Sequence, residues 1–205
     1  MSKLTMTTFL TLDGVMQAPG GPPEDRSGGF SYGGWLVPFF EQDTGKFMAE
    51  VFERADAFLL GRTTYQLFAS HWPRVTDPAD PIASKLNALP KHVASRTLDR
   101  VDWHNSSLVA DVVTQVATLK ARYARELQVH GSAGLAQTLI EHDLVDDYHL
   151  LVFPVVLGTG KRLFAVGTVP AKMKLLQTRA TSTGTIIASY ARTGKPTMGS
   201  FMLDP

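Results

Sequence analysis

The chain has 205 residues, 44% of them hydrophobic and 19% charged, a formal net charge of +1 and no cysteine. That length can bury a continuous core in one domain, and the balance of 20 basic against 19 acidic residues argues against a nucleic-acid or membrane-surface protein. The lack of cysteine excludes disulfides, thiolate catalysis and cysteine-bound zinc.

Residues 3–12, rich in Thr, Leu and Phe, predict a strand closed by the turn dipeptide Asp13-Gly14. Residues 17–34 are so dense in glycine and proline that they read as a long loop, expected to be mobile and to order over a bound ligand. A helix is expected near 41–54, where Phe47, Met48, Val51, Phe52 and Ala55 share one face at helical period. A short apolar run from Ala57 to Leu60 reads as a buried strand ending at Gly61. It is followed by a brief helix over 62–69, a helix over 82–88 and short strands at 92–95 and 106–109. The clearest helix is 111–126, with Val112, Val116, Leu119 and Tyr123 as its core stripe and Asp111 at its start.

A strand from Leu127 to His130 runs into Gly131, and a helix over 132–141 and a strand over 147–153 follow. The β-rich runs 172–178 and 185–190, joined by Thr181-Ser182-Thr183-Gly184, predict an antiparallel hairpin. Residues 1–192 thus read as a single domain and 193–205 as a tail. Strand–helix alternation implies parallel strands with right-handed crossovers and a sheet covered on both faces, which the final hairpin makes mixed. The apolar stretch from Leu150 to Leu157 is too short to span a bilayer. Thr5, Thr7, Thr8 and Thr11 interrupt any N-terminal apolar leader, so the expected location is cytoplasmic.

Three strand ends pass into small or hydroxyl residues: Gly61-Arg62-Thr63-Thr64, Ser95-Arg96-Thr97 and Gly131-Ser132-Ala133-Gly134. In a parallel sheet the carboxyl ends of the strands share one edge, where ligands bind. Helix starts there offer unpaired N–H groups to phosphate oxygens, and arginine adds bidentate bonds. A phosphate-bearing dinucleotide is one reading; ordinary strand-to-helix turns and solvated arginines are the other. Neither G-x-G-x-x-G nor a P-loop is present. The six histidines show no metal-type pairing, and no metal is expected.

Leu12-Asp13-Gly14, LLGRTTYQLF at 59–68, HVASRTL at 92–98 and HGSAGLAQTLIEHDLVDDYHLLVFPVVLGTGKRLF at 130–164 occur in that order. Over residues 3–192 the chain resembles the dihydrofolate-reductase-like family that includes the reductase domain of bacterial riboflavin biosynthesis proteins. The resemblance implies a three-layer α/β fold and NADPH as cofactor. It implies that the backbone around Phe9 and Met16 holds the nicotinamide amide, and that Gly61, Arg62, Thr63 and Thr64 meet the phosphates. It also implies that Ser95, Arg96 and Thr97 flank the 2′-phosphate and that Gly131, Ser132, Ala133, Gly134 and Leu135 wrap the pyrophosphate. A homodimer is expected from the resemblance and from the apolar 150–157 strand.

Folate enzymes carry one acid on the helix after the first long loop. Asp43 and Glu41 are the counterparts available here, with Asp43 or a water as proton source and a helix-dipole partner as the alternative account of Asp43. Trp35, Phe39 and Phe40 are expected to form a stacking wall for a flat substrate. Two functional readings follow. The first is an NADPH-dependent oxidoreductase acting on a small planar acceptor of pteridine or pyrimidine type, the riboflavin-pathway reductase being one version. The second is an NADPH-binding sensor or scaffold without turnover.

Overall fold

Strand–helix alternation becomes an eight-stranded sheet in the computed structural model, which describes residues 2–202. In chain order the elements are β1 (Lys3–Thr11), α1 (Gln42–Glu53), β2 (Ala55–Gly61), α2 (Arg62–His71), α3 (Pro81–Ala88), β3 (Lys91–Ala94) and β4 (Ser106–Val109). They continue with α4 (Val112–Arg122), β5 (Glu126–His130), α5 (Ala133–Glu141), β6 (Asp147–Phe153), β7 (Lys172–Ala180) and β8 (Ile186–Gly194). The strand order is β4-β3-β2-β5-β1-β6-β8-β7. The first six strands of that order pair in parallel, and β8 joins β6 and β7 antiparallel. This is the three-layer, dihydrofolate-reductase-like arrangement, with the expected hairpin at its end.

Both faces of the central strands are buried, as crossover helices require. Leu4, Met6, Leu59, Leu127 and Val129 pack under α4 and α5. Phe58, Leu60, Leu151 and Phe153 pack on the opposite face with Phe47, Val51 and Phe52 of α1. Helix α4 stops at Arg122, short of the expected 126, because the Asp56 carboxylate captures the next backbone N–H groups, Ala124 (3.1 Å) and Arg125 (2.8 Å). Tyr123 turns out of the helix and its hydroxyl meets His92 Nε2 at 2.6 Å.

The glycine-rich segment 17–34 follows a path set by hydrogen bonds and close packing. Gln17 Nε2 donates to the carbonyls of Asp25 (3.2 Å) and Ser27 (3.0 Å), and Gln17 Oε1 accepts from Lys161 N (3.0 Å). Trp35 Nε1 closes the loop on Gln17 O at 2.8 Å. The glycines are needed because the loop packs on itself: a Cβ at Gly33 would lie 2.7 Å from Gly21 O.

The apolar run 150–157 also receives a different explanation. Its strand β6, Asp147–Phe153, is interior and paired on both sides, so the apolarity of that part serves the core, while Val156 beyond it is exposed. The exposed sheet edge at this end is β7, which presents Leu175 and Leu176. Strand β8 runs to Gly194, two residues into the expected tail, and 203–205 lie outside the described residues. Among the described residues no helix is long and apolar enough to cross a membrane.

A single carboxylate ties the end of β1 to the loop after β6. Asp13 accepts from Thr11 Oγ1 (2.6 Å), from the backbone N–H of Leu157 (3.2 Å) and Gly158 (2.8 Å), and from Arg162 Nη2 (3.2 Å). The Thr11 hydroxyl foremost, with those N–H donors and the arginine, holds its carboxyl well below the usual carboxylate range. Its contribution is therefore complete above that range and lost as the pH falls through the folded-state value. Asp13→Asn is expected to cost about 1–3 kcal/mol at pH 7. In urea titrations the gap between variant and wild type should narrow at pH 3.

Candidate active site

Where β1, β2 and β5 end, the sheet opens into a cleft of ≈ 970 Å³. Strands β2 and β5 are neighbours, so the helices that follow them, α2 and α5, begin side by side. Gly61 N donates to Ser132 Oγ at 3.0 Å, and Ser132 Oγ donates to His130 O at 3.1 Å. Gly131 and Ser132 take left-handed φ values of 54° and 61°, which turn the chain sharply from strand to helix. No side chain caps α2 or α5, whereas α3 and α4 are capped by the carboxylates of Asp80 and Asp111. Two helix N-termini therefore offer first-turn N–H groups and positive dipole ends to one cleft, an arrangement suited to a diphosphate.

Of the residues expected at the cofactor, Phe9, Met16, Gly61, Arg62, Thr63, Thr64, Gly131, Ser132, Ala133, Gly134 and Leu135 all line this cleft. Ser95, Arg96 and Thr97 do not line it but leave the adjacent strand β3 at the same edge. Arg62 Nη1 donates to Thr97 Oγ1 at 2.9 Å, which joins the two clusters. Ser95 Oγ accepts from the N–H of Thr97 (3.2 Å) and Leu98 (3.1 Å), shaping the turn that leaves Arg96 exposed.

The substrate-side expectations are placed differently. Trp35 is buried, its ring edge-on to Phe153 at 5.8 Å, and Phe39 packs on the same ring from 6.5 Å. Both stand behind the wall, which Phe40, the third expected member, forms with Phe9, Leu36, Met48 and Phe52. Asp43 lies outside the cleft, with a side chain 53% exposed and 3.4 Å from Lys46 Nζ. Glu41 is occupied by the β7–β8 turn, accepting from the backbone N–H (2.9 Å) and hydroxyl of Ser182.

The acids that do line the cleft are Glu24 and Asp25, on the glycine-rich loop. Burial pushes the Glu24 carboxyl up, against the pull of the Gly20 N–H at 2.6 Å. Asp25, though partly buried, is held below the usual range by Lys161 at 2.6 Å and by Ser27. Thr7 and His130 form part of the floor. Burial, aided by the nearby His149, pushes the His130 imidazole down to about 3, so the ring is neutral. His130 stacks on Phe52 with centroids 4.5 Å apart, and its Nε2 meets Gln128 Oε1 at 3.1 Å. The signal for it was present: Glu126, Gln128 and His130 are polar at period two in a strand whose alternate residues are core.

Residues 2–187 match the RibD C-terminal domain family. The uncharacterized Bacillus subtilis (strain 168) protein YyaP is 26% identical over 190 residues, which cover 92% of this chain and 94% of YyaP. Among solved structures, a putative riboflavin biosynthesis protein from Shewanella sp. PV-4 superposes with a TM-score of 0.70 at 23% identity, covering 94% of this chain and 99% of that one. A pyrimidine reductase-like protein from Corynebacterium diphtheriae gives 0.61 at 12% identity, over 94% and 92%. A Thermotoga maritima diaminohydroxyphosphoribosylaminopyrimidine deaminase/5-amino-6-(5-phosphoribosylamino)uracil reductase gives 0.63 at 14%, over 94% of this chain and 57% of that one.

Burial also lowers His149, whose Nδ1 meets Ser189 Oγ at 2.8 Å. A base whose folded value lies below its unfolded value makes the unfolded chain bind more protons, so stability is lost as the pH falls below about 6.5. The imidazole ¹⁵N spectrum of His130 should keep its neutral form at pH 5, while the urea midpoint drops between pH 7 and pH 5. A protonated His130 ring at pH 5 with an unchanged midpoint would contradict this.

Proposed function

The chain belongs to the RibD C-terminal domain family, and on that premise we propose that it is an NADPH-dependent reductase acting on a small planar heteroaromatic compound of pteridine or pyrimidine type. The observation that carries this reading is the pair of uncapped helix starts joined by Ser132, opening on a cleft beside Arg62 and the Ser95–Thr97 turn. The donor set fits the cofactor. The first turns of α2 and α5 would hold the diphosphate, and Arg62, Arg96 and Ser95 would surround the 2′-phosphate. The backbone near Phe9 and Met16 would meet the nicotinamide amide. When bound, NADPH would supply the hydride.

Reduction of one C=N or C=C bond also consumes a proton. Glu24 is the cleft carboxyl whose acid form burial favours, so the proton is assigned to Glu24 in place of Asp43. Activity should accordingly fall as the pH rises through the raised Glu24 value. Glu24→Gln is expected to lower kcat about 100-fold with NADPH affinity kept, and Asp43→Asn to change neither. Equal losses in both variants would remove Glu24 from this role. NADPH binding without oxidation across a panel of flat acceptors would favour the sensor reading.

Cofactor choice tests the arginines. Charge-assisted bonds contribute roughly 1.5–3 kcal/mol each, so Arg62 and Arg96 together should prefer NADPH over NADH by about 100-fold or more. Arg62→Ala and Arg96→Ala should each weaken NADPH by about tenfold, with NADH almost untouched. Calorimetry showing equal loss of both cofactors would move these arginines to the shared diphosphate.

A further inference from the structure

The fold orients two polar groups on the cleft floor and then leaves them without partners. Gln128 Nε2 donates to Val51 O and to Glu126 Oε2, each at 2.7 Å. Both atoms only accept, so the amide can point one way, with Oε1 toward His130 Nε2 at 3.1 Å. A carbonyl oxygen also only accepts, so Nε2 of His130 must carry the ring proton. Nδ1 is left with its lone pair and with no hydrogen-bond partner among the described residues.

Thr7 stands beside His130, its register partner across the parallel β1–β5 pair. The side chain is buried and Oγ1 has no partner. The other such hydroxyls among the described residues belong to Thr44, Ser106 and Thr185, none of which lines the cleft; Thr7 does. One row down the same face, Thr5 meets Glu126 Oε2 at 3.3 Å, so the strand does satisfy a hydroxyl where no ligand can reach. Glu126 is itself committed to Arg54 (2.7 Å) and Gln128. The floor thus presents one acceptor, one hydroxyl and no free charge, between the apolar walls of Phe9, Leu36, Phe40 and Met48.

We propose that this floor recognises the lactam edge, –NH–C(=O)–, of a neutral planar heterocycle, the N–H donating to His130 Nδ1 and the Thr7 hydroxyl donating to the adjoining carbonyl oxygen. Cationic amidines, which need a carboxylate, are disfavoured. The inference rests on the reductase reading for the fate of the bound ring, and on Thr7 and His130 alone for its binding.

Lumazine, which has free lactam N–H groups, and 1,3-dimethyllumazine, which has none, separate the possibilities. In calorimetry on the full chain at pH 6.5, lumazine should bind at least tenfold more tightly than its dimethyl analogue. Thr7→Val removes a hydroxyl that bonds nothing in the chain; it should keep or raise Tm and weaken lumazine about tenfold, leaving the analogue unchanged. The ¹⁵N resonance of His130 Nδ1 should be that of an unprotonated nitrogen and should shift on adding lumazine but not the analogue. His130→Leu should bring the two ligands within twofold. Absent lumazine binding, equal affinity for the pair, or indifference to Thr7→Val would overturn the proposal. NADPH titrations on the same samples report the reductase reading separately: lactam discrimination without cofactor binding would sink that reading and keep this one.

Discussion

The cleft depends on the Asp13 carboxylate. Strand β1 lies at the middle of the sheet, and the chain leaving it must travel far before returning as α1. Asp13 fastens that departure to the loop after β6 by accepting from two backbone N–H groups and an arginine. The fastening continues through Gln17 and Lys161, and it is tight: a Cβ at Gly160, where φ is +121°, would sit 2.6 Å from Val15 Cγ1. The Leu-Asp-Gly and Leu-Gly-Thr-Gly-Lys-Arg motifs, far apart in the chain, are therefore two halves of one clasp. With that clasp closed, the loop carrying Glu24 and Asp25 has a fixed seat along the cleft.

Beneath α1 a second constraint runs across the sheet. His130, Thr7, His149 and Ser189 stand in register on β5, β1, β6 and β8, forming a polar row on the face that α1 covers. Most members of such a row must find partners for it to be stable. His149 is bonded to Ser189 and Arg54, and His130 to Gln128. The order of these bonds, more than the identity of any one residue, fixes which face of each ring remains available. The cleft end of the row is where satisfaction stops.

Much of the fold was legible because periodicity reports burial directly. The α1 stripe, the period-two strands and the terminal hairpin follow from which residues must avoid water. The turns that line the cleft at β2 and β5 were legible because small residues at strand ends leave few alternatives to a tight strand-to-helix turn. The substrate side was harder to read. An aromatic residue after a loop, such as Trp35, carries no mark of whether it faces a ligand or anchors the loop. Nor does glycine density distinguish freedom from close packing, as the contact of Gly33 with Gly21 shows. Asp43 sits at a helix start, where an acid is favoured whatever the function. Glu24 became visible as a cleft acid only through long-range contacts that no local pattern encodes.

The junction of Gly61 with Ser132 has an evolutionary corollary. Its donors are main-chain N–H groups, which every non-proline residue supplies, so substitutions in the first turns of α2 and α5 other than at Arg62 would leave these donors in place. Apart from Arg62, the constraint there falls on the width of a turn and the seat of one hydroxyl more than on side-chain chemistry. The opposite holds on the cleft floor, where Thr7 and His130 speak through side chains and one replacement rewrites the message. Chains sharing this scaffold can accordingly keep one half of the cleft unchanged while the other half diverges freely.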